Sequence, residues 1–519
     1  MFDFLSKTKA KTYPAQIVAT KIPASKLTPL MVCEAFKAPV LLESAFLKTG
    51  KGRFSILVLQ KAFCLIKENT NQKNAKQKNG DYFLLCEDKK IPLKTLKKIG
   101  NTTISKDSKF LDFLDAFRNL APRLDLLGEN LKAELSTLPI PLGGVGYLGF
   151  EFFSEIEEIT FSKPKLYDCY DNAFIFGSDF IIFDHFYESL YAISISYENE
   201  QTYCDVKKRN QAILNQLKSL KPSTKKPQKI TSTPLCDGKK AQYTKMVKIL
   251  KKEIYKGNLL QCVPSRSFQI KSNLPPLLAY SNLRTANPSP YMYFYDFGHF
   301  HIIGASPEAL IKVETPPNST LSTLTLRPIA GTRKRGKTQV QDLRLEEELK
   351  NSEKENAEHL MLLDLGRNDV GKVAKSGSVQ VTQQCVIEKY ARVMHLVSEV
   401  KGIMDLKSHS KQEALLAAFP AGTISGAPKI QAIKTIESLE PHARGIYSGA
   451  VGYFDRENDM NFAIAIRTAV FQKGVYYLQA GGGIVYDSLE EEEYLETQNK
   501  MQSLIDAIMG EEIQKGRVQ

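Results

Sequence analysis

Two pairs of glutamates carry a spacing that chemistry can use: Glu355 and Glu358 in "EKENAEHL", and Glu493 and Glu496 in "EEYLET". On a helix, an i,i+3 interval puts both carboxylates on one face. If two such helices faced each other, four carboxylates would converge on one point, and that cluster stays ionised only around a cation. Oxygen ligands of this kind suit Mg2+. An acidic helix face is more commonly just solvated, so spacing alone leaves both readings open. His359 follows Glu358 but has no second histidine four residues on, so the zinc pattern HExxH is absent.

Other residues invite an anion. Arg467 in "AIRTAV" lies on an apolar strand, where a lone guanidinium is costly unless an anionic ligand or an acidic residue meets it. In "AGGGIVYD", Gly481, Gly482 and Gly483 at a strand end expose backbone amides to an approaching carboxylate, or simply form a bulge. "FPAGTISGAPKIQAIK" sets Gly, Thr and Ser ahead of Pro428, which suits a first helical turn with free N–H groups, and Thr423 and Ser425 could cap it or touch a ligand. No GK[ST] follows, so this is not a nucleotide P-loop. In "PIAGTR", residues 328–333, Gly331, Thr332 and Arg333 are suited to hold an anion, yet Ala330 offers a methyl where a reactive side chain could sit. His395, inside the apolar run "ARVMHLVSEV", reads as a core histidine, or as a general base if a polar pocket lies at its edge.

These residues need a scaffold. Apolar Ile213, Leu214, Leu217 and Leu220 at helical spacing precede a Pro/Ser/Lys stretch without an apolar face, so the chain divides into residues 1–220, a basic linker 221–240 and residues 241–519. The first part holds strand-like runs, "RFSILVLQKAFCLI" and "AFIFGSDFIIF", with the glycine-rich "GGVGYLGFE" between them. After the linker come the helix "YTKMVKILKKEIYKGN" and the strand "LLQCVPSRSFQI". "HFHIIGAS", "YSGAVGYFD" and "MNFAIAIRTAVFQKGVYYLQAGGGIVYD" alternate as strands do, and "LRLEEELKNSEKENAEHLMLLDLG", "KIQAIKTIESLE" and "LEEEEYLETQNKMQSLIDAIMG" read as helices. Long strands with separate helix blocks predict an α+β fold with large, mostly antiparallel β-sheets forming a core flanked by helices.

Bulk composition narrows the function classes. At 519 residues, 43% hydrophobic and 24% charged, the chain is that of a globular protein. No run approaches the roughly 18–20 apolar residues of a membrane helix, and the start, "MFDFLSKTKAKTYPAQ", lacks a signal-peptide core, so a cytoplasmic protein with no membrane partner is expected. Eight cysteines without CxxC or paired spacing suggest neither a zinc ribbon nor a disulfide framework. The formal charge of +13 owes much to lysine-rich stretches at 66–81 and at 221–240, the latter with six lysines against one Asp. Neither interleaves aromatics with base-reading side chains, so no nucleic acid partner is expected. A basic nucleic-acid-binding protein is the competing class, and a steep salt dependence of DNA binding would mark it.

In order, "PIAGTR", "AEHLMLLDLGRNDVGKV", "FPAGTISGAPK", "YSGAVGYFD", "AIAIRTAV", "QAGGGIVYDS" and "EYLETQNK" resemble the chorismate-utilising enzyme family, most closely its anthranilate-forming branch. The resemblance runs from about residue 25 to 505. It implies a chorismate site in which Glu358 and Glu496 bind Mg2+ directly and Glu355 and Glu493 do so through water. Arg467, Tyr447 and the amides of Gly481 to Gly483 would hold the substrate carboxylates. Gly331 and Thr332 would complete the pocket, with Thr423 at its edge and Lys500 as a supporting charge. Glu308 in "GASPEAL" would protonate the departing ring hydroxyl, which calls for a pKa raised by burial, and His395 would remove the ring proton. "LLESA" at 41–45 and "NPSPYMYF" at 287–294 resemble the family's L-tryptophan feedback site, and imply Glu43, Ser44, Pro290, Tyr291 and Met292 as its contacts.

Two positions separate the branches. The siblings that make 4-amino-4-deoxychorismate carry a lysine where this chain has Ala330, and the isochorismate-forming siblings carry one at Gln261. Both replacements imply external ammonia as nucleophile and anthranilate as product, with an aminodeoxychorismate-forming enzyme as the alternative. No G-x-C-x-G glutaminase elbow occurs, so a separate glutamine amidotransferase subunit is expected to supply ammonia in a hetero-oligomer. The chain departs from the family pattern at Ser352 and Asn356, where Asp and Arg are common, and in "QCVPSRSF", which keeps Arg266 but not the next arginine.

Overall fold

The computed structural model describes residues 15–44, 52–68, 81–86, 89–124, 133–197, 202–221, 230–237, 240–390 and 393–510. Most of the first lysine-rich stretch, residues 69–80, and half of the second, residues 222–229 and 238–239, lie outside them. Among the described residues no helix is long and apolar enough to cross a membrane.

The architecture is two large antiparallel sheets that share two long strands, Phe54–Glu68 and Asn172–Asp184. Register shifts between Val58 and Phe63, opposite Gly177, bend this pair, so each half of a strand pairs within a different sheet. The first half of Phe54–Glu68 meets Val40–Glu43, and its second half meets Asp81–Cys86. Likewise Asn172–Asp184 pairs with Val145–Leu148 at its start and with Ser189–Ser196 at its end.

From Val40–Glu43 one sheet continues through Tyr291–Asp296, His301–Ser306, Thr468–Gln472 and Val475–Gly481 to Ser265–Ser272. From Val145–Leu148 the other continues through Ala450–Phe454, Met460–Ile464, Ala309–Glu314 and Leu321–Leu326 to Val393–Asp405, which also pairs with Ile329–Lys334. Strands from before residue 220 and after 240 thus interleave in both sheets. Ser232–Asp237, inside the stretch expected as a linker, is an edge strand on Ser265–Ser272. Its Pro234 sits at a register shift, a place where an edge strand tolerates proline.

Alternation along a strand decides which layer each side chain enters. Tyr293 and Tyr295 point into the core that also holds Tyr147, Phe297 and Phe300. Met292 and Phe294 point the other way, into a second core with Leu283, Leu504 and Ile508 of the helices Pro276–Ala286 and Glu490–Met509.

The α+β expectation holds, with three local differences. The predicted helix over 343–366 is two helices, Gln339–Asn351 and Glu353–Gly371, because Ser352 adopts an extended backbone (φ −72°, ψ 110°). Its hydroxyl caps the second helix at the Glu355 N–H, and Asn356 donates to Lys350 O and Ser352 O. The run from Met460 to Gly481 is three strands, turned by Arg467 at φ 51° and by a Lys473-Gly474 hairpin. "LLQCVPSRSFQI" forms two strands, Gln261–Cys262 and Ser265–Ser272, parted at Pro264.

Candidate active site

The helix Glu353–Gly371 begins at the Ser352 cap, so Glu355 lies in its first turn, where the helix dipole favours a carboxylate, and Glu358 in its second. Glu493 and Glu496 lie one residue further in on Glu490–Met509, again within its first two turns. Both helices converge on the triple glycine. A Cβ on Gly482 would stand 2.9 Å from Glu493 Oε2, and one on Gly483 would stand 3.1 Å from Glu358 Oε1. A side chain at Gly482 would crowd the Glu493 carboxylate, and one at Gly483 would first meet Gln261 Nε2 at 2.5 Å.

The carboxylates sense one another. Burial, then Glu496 and Glu355, raise the Glu358 pKa, and burial with Glu496 pushes Glu493 up to about 7. Burial also opposes the Glu496 charge, but Lys500 at 2.6 Å, with Arg467 and Lys354, outweighs it and holds Glu496 below its ordinary range. Glu355 pairs with Arg333 at 2.9 Å, Glu358 accepts from Gln261 Nε2 at 2.8 Å, and Glu493 Oε2 is buried without a partner. Among the described residues no three His, Cys, Asp or Glu side chains close around one point. Mg2+ does not need such a cage, because it keeps several waters and takes only one or two protein carboxylates. An all-oxygen donor set with one orphaned carboxylate oxygen fits that ion.

Opposite stands positive charge. Arg467 holds a left-handed backbone (φ 51°), an uncommon conformation for a side-chain-bearing residue, and among the described residues its guanidinium has no ion-pair partner. Burial lowers its pKa, while Glu496 and Tyr447 support its charge. Lys500 Nζ donates to Gly481 O at 2.9 Å, and a Cβ on Gly481 would stand 3.1 Å from the Tyr447 hydroxyl. The Lys500 charge is felt at Glu308, Glu358, His395 and Tyr447, which places all of these in one neighbourhood.

The remaining expected groups also gather here. Glu308 is buried, and desolvation pushes its carboxyl up to about 8 against the pull of Thr423, the Ile329 backbone and Lys500. The Thr423 hydroxyl faces that carboxyl without closing a hydrogen bond of its own. It sits in a short turn, Gly422–Ser425, that precedes the Pro428-capped helix Lys429–Leu439. Gly331 (φ 61°) is the bulge residue between Ala330 and Thr332, and its open face abuts Glu355 Oε2. Thr332 Oγ1 lies 2.9 Å from His395 Nδ1. Burial, with Arg467 and Lys500 nearby, drives the His395 pKa down to about 4.

About 250 residues separate the two parts of the feedback motif, yet Met292 lies directly opposite Glu43 in adjacent strands. Pro290 and Tyr291 precede Met292, and Ser44 follows Glu43. The Glu43 carboxylate is already engaged, accepting from Tyr280 Oη at 2.7 Å and from Arg284 Nε and Nη2 at 2.8 and 3.0 Å.

Sequence reasoning missed Tyr243, whose hydroxyl would stand 3.2 Å from a Cβ on Gly482, and Lys354, whose charge reaches Glu358, Glu493 and Glu496. Tyr243 shares the apolar stripe of Met246, Val247 and Leu250, which hides a polar role.

Residues 71–506 match the family model of chorismate binding enzymes. Anthranilate synthase component 1 of Spirochaeta aurantia is 37% identical over 97% of this chain and 98% of its own length. The protein of the same name from Pseudomonas putida is 41% identical over 72% of this chain and 77% of its own. The crystal structure of anthranilate synthase component I from Streptococcus pneumoniae TIGR4 superposes with a TM-score of 0.72 at 33% identity, covering 93% of this chain and 98% of that one. The menaquinone-specific isochorismate synthase of Escherichia coli, 17% identical with a TM-score of 0.64, shares the fold, covering 96% of each chain. With its acidic helices, triple glycine and buried arginine close together, the chain belongs to the chorismate binding enzyme family and, within it, to the anthranilate synthase component 1 group.

Proposed function

We propose that this chain is a Mg2+-dependent lyase that converts chorismate and ammonia into anthranilate, pyruvate and water. The observation that carries the choice of nucleophile is the pairing of two positions. Ala330 has no amine to attack the ring, and Gln261, a poor base, spends its Nε2 on Glu358. Ammonia must then come from outside.

Glu358 and Glu496 would bind Mg2+ directly, with Glu355 and Glu493 acting through water. The ion, when bound, neutralises a substrate carboxylate and fixes the ring. Arg467, the Tyr447 hydroxyl and the amides at Gly481 to Gly483 hold carboxylate charge, and Gly331 and Thr332 close the pocket. Ammonia adds at C2 as the C4 hydroxyl leaves as water with the Glu308 proton. A carboxyl at about 8 keeps that proton at neutral pH. His395, neutral and oriented by Thr332, then takes the C2 proton as the C3–O bond breaks, releasing pyruvate and an aromatic ring. Substrate anions shielding Arg467 and Lys500 raise its proton affinity during that step.

A separate glutamine amidotransferase subunit supplies the ammonia in a cytoplasmic hetero-oligomer, and L-tryptophan inhibits at the Ser44 and Pro290–Met292 site. Purified chain given chorismate, Mg2+ and ammonium at about pH 8.5 should produce fluorescent anthranilate. Formation of only aminodeoxychorismate or isochorismate would overturn the reading.

A further inference from the structure

Tyr243 is 1% exposed and Glu493 is 6% exposed; Glu493 Oε2 has no hydrogen-bond partner, and the Tyr243 hydroxyl, beside the Gly482 backbone N–H, has no acceptor for its own proton. An orphaned carboxylate oxygen and an unspent hydroxyl proton in one small volume are costly unless something joins them. Both face the open side of Gly482: a Cβ there would lie 3.2 Å from Tyr243 Oη and 2.9 Å from Glu493 Oε2. Both oxygens thus lie within 3.2 Å of one point beside Gly482, the neighbourhood that a single bridging water could serve. They are also complementary, since the phenol can donate and the carboxylate, once ionised as a cation requires, accepts.

We propose that Tyr243 is a positioning residue for the cation site, donating through one ordered water to Glu493 Oε2. This holds the Glu493 carboxylate in the orientation from which it meets the hydrated Mg2+. Gly482 leaves room for that water. The helix Lys240–Tyr255 anchors the phenol through Met246, Val247 and Leu250 in a shared core with Tyr494, the residue after Glu493. Glu493 is thereby fixed from a third helix that carries no ligand itself.

The inference rests on the Mg2+ reading above, and binding separates the two. In the full-length protein, Tyr243→Phe keeps the ring and removes only the donor. It should weaken Mn2+ binding followed by electron paramagnetic resonance, and raise the Mg2+ concentration for half-maximal rate, by about 10-fold or more. kcat at saturating Mg2+ should stay within about threefold, and the metal-free thermal midpoint within about 2 °C. Gly482→Ala, which takes the water's space, should weaken Mn2+ binding to a similar degree. In a Glu493→Gln background, Tyr243→Phe should have no further effect. Unchanged Mn2+ binding in Tyr243→Phe, or equal losses with and without Glu493, overturns the proposal. Lack of anthranilate formation by the wild-type chain would instead sink the functional reading and leave the binding comparison intact.

Discussion

Gln261 Nε2 donates a 2.8 Å hydrogen bond to Glu358 Oε1, tying the short strand Gln261–Cys262 to the first acidic helix. Glu358 has like-charged neighbours in Glu496 and Glu355, so this amide is its direct neutral support. Gln261→Leu removes the donor while keeping much of the volume. The variant is expected to fold, to bind Mg2+ about 10-fold more weakly and to lose activity first at low Mg2+. A titration of rate against Mg2+ concentration checks this, and an unchanged curve refutes it.

The Glu308 carboxyl gives a pH signature. Its pKa in the folded chain is raised to about 8 by burial from the ordinary 4.5, so the folded state holds this proton more tightly than the unfolded chain. Its contribution to stability is complete below about 4.5 and is lost as pH rises towards about 8. Glu308→Gln, a neutral mimic, should therefore raise the thermal midpoint at about pH 8.5 and leave it unchanged near pH 4.5. Its turnover should fall by at least about 100-fold, since the amide cannot donate the proton. Equal midpoint shifts at both pH values would show that burial does not perturb this group.

Much of this site is legible in sequence because its spacing is local. Glu355/Glu358 and Glu493/Glu496 each need only one helical turn, and the triple glycine needs only a strand end. What the chain does not advertise is the meeting of distant parts. The break at Ser352 depends on a cap that competes with good helix formers on both sides. Arg467 reads as one residue in a continuous strand, and only its left-handed backbone turns it away from the ladder. Tyr243 looks like core because three of its stripe neighbours are core. The pairing of Met292 with Glu43 could be anticipated only through the family resemblance, since no local pattern sets a register across such a separation.

Mg2+ should stabilise the protein more at higher pH. Glu493 sits at about 7 and Glu358 is raised by burial and its neighbours, so both hold protons that a cation must displace as pH falls. The Mg2+-induced rise in thermal midpoint is expected to be at least about twice as large at pH 8 as at pH 6. Glu358→Gln and Glu496→Gln should each abolish that rise and turnover while the metal-free protein remains folded. A Mg2+ effect independent of pH, or wild-type rates in either variant, would remove these carboxylates from the site.

Glu43 provides a test of stability separate from catalysis. It is a buried carboxylate whose partners, Tyr280 and Arg284, both lie on the helix Pro276–Ala286. Arg284→Leu strands the charge with one neutral donor, so a loss of about 2–3 kcal/mol is expected in denaturant unfolding. Glu43→Gln keeps the Tyr280 bond and carries no charge to strand, so its loss should be smaller. An Arg284→Leu protein as stable as wild type would mean that solvent already screens the pair.

The same helix links the expected tryptophan pocket to the catalytic one. Asn282 donates to Ala507 O at 2.9 Å on the helix that carries Glu493, Glu496 and Lys500, a contact through which a ligand-driven shift of Pro276–Ala286 would reach the acidic helix. L-tryptophan at millimolar concentration is expected to inhibit the wild-type chain. Ser44→Ala should raise the concentration for half-inhibition by about 10-fold with kcat unchanged, if Ser44 contacts the inhibitor as the family resemblance implies. Asn282→Ala, which cuts the link without touching the pocket, should leave tryptophan binding by calorimetry close to wild type while reducing the maximal inhibition. If Asn282→Ala remained fully inhibitable, coupling would have to pass through the sheet instead, along the strands that join Met292 to Thr468 beside Arg467.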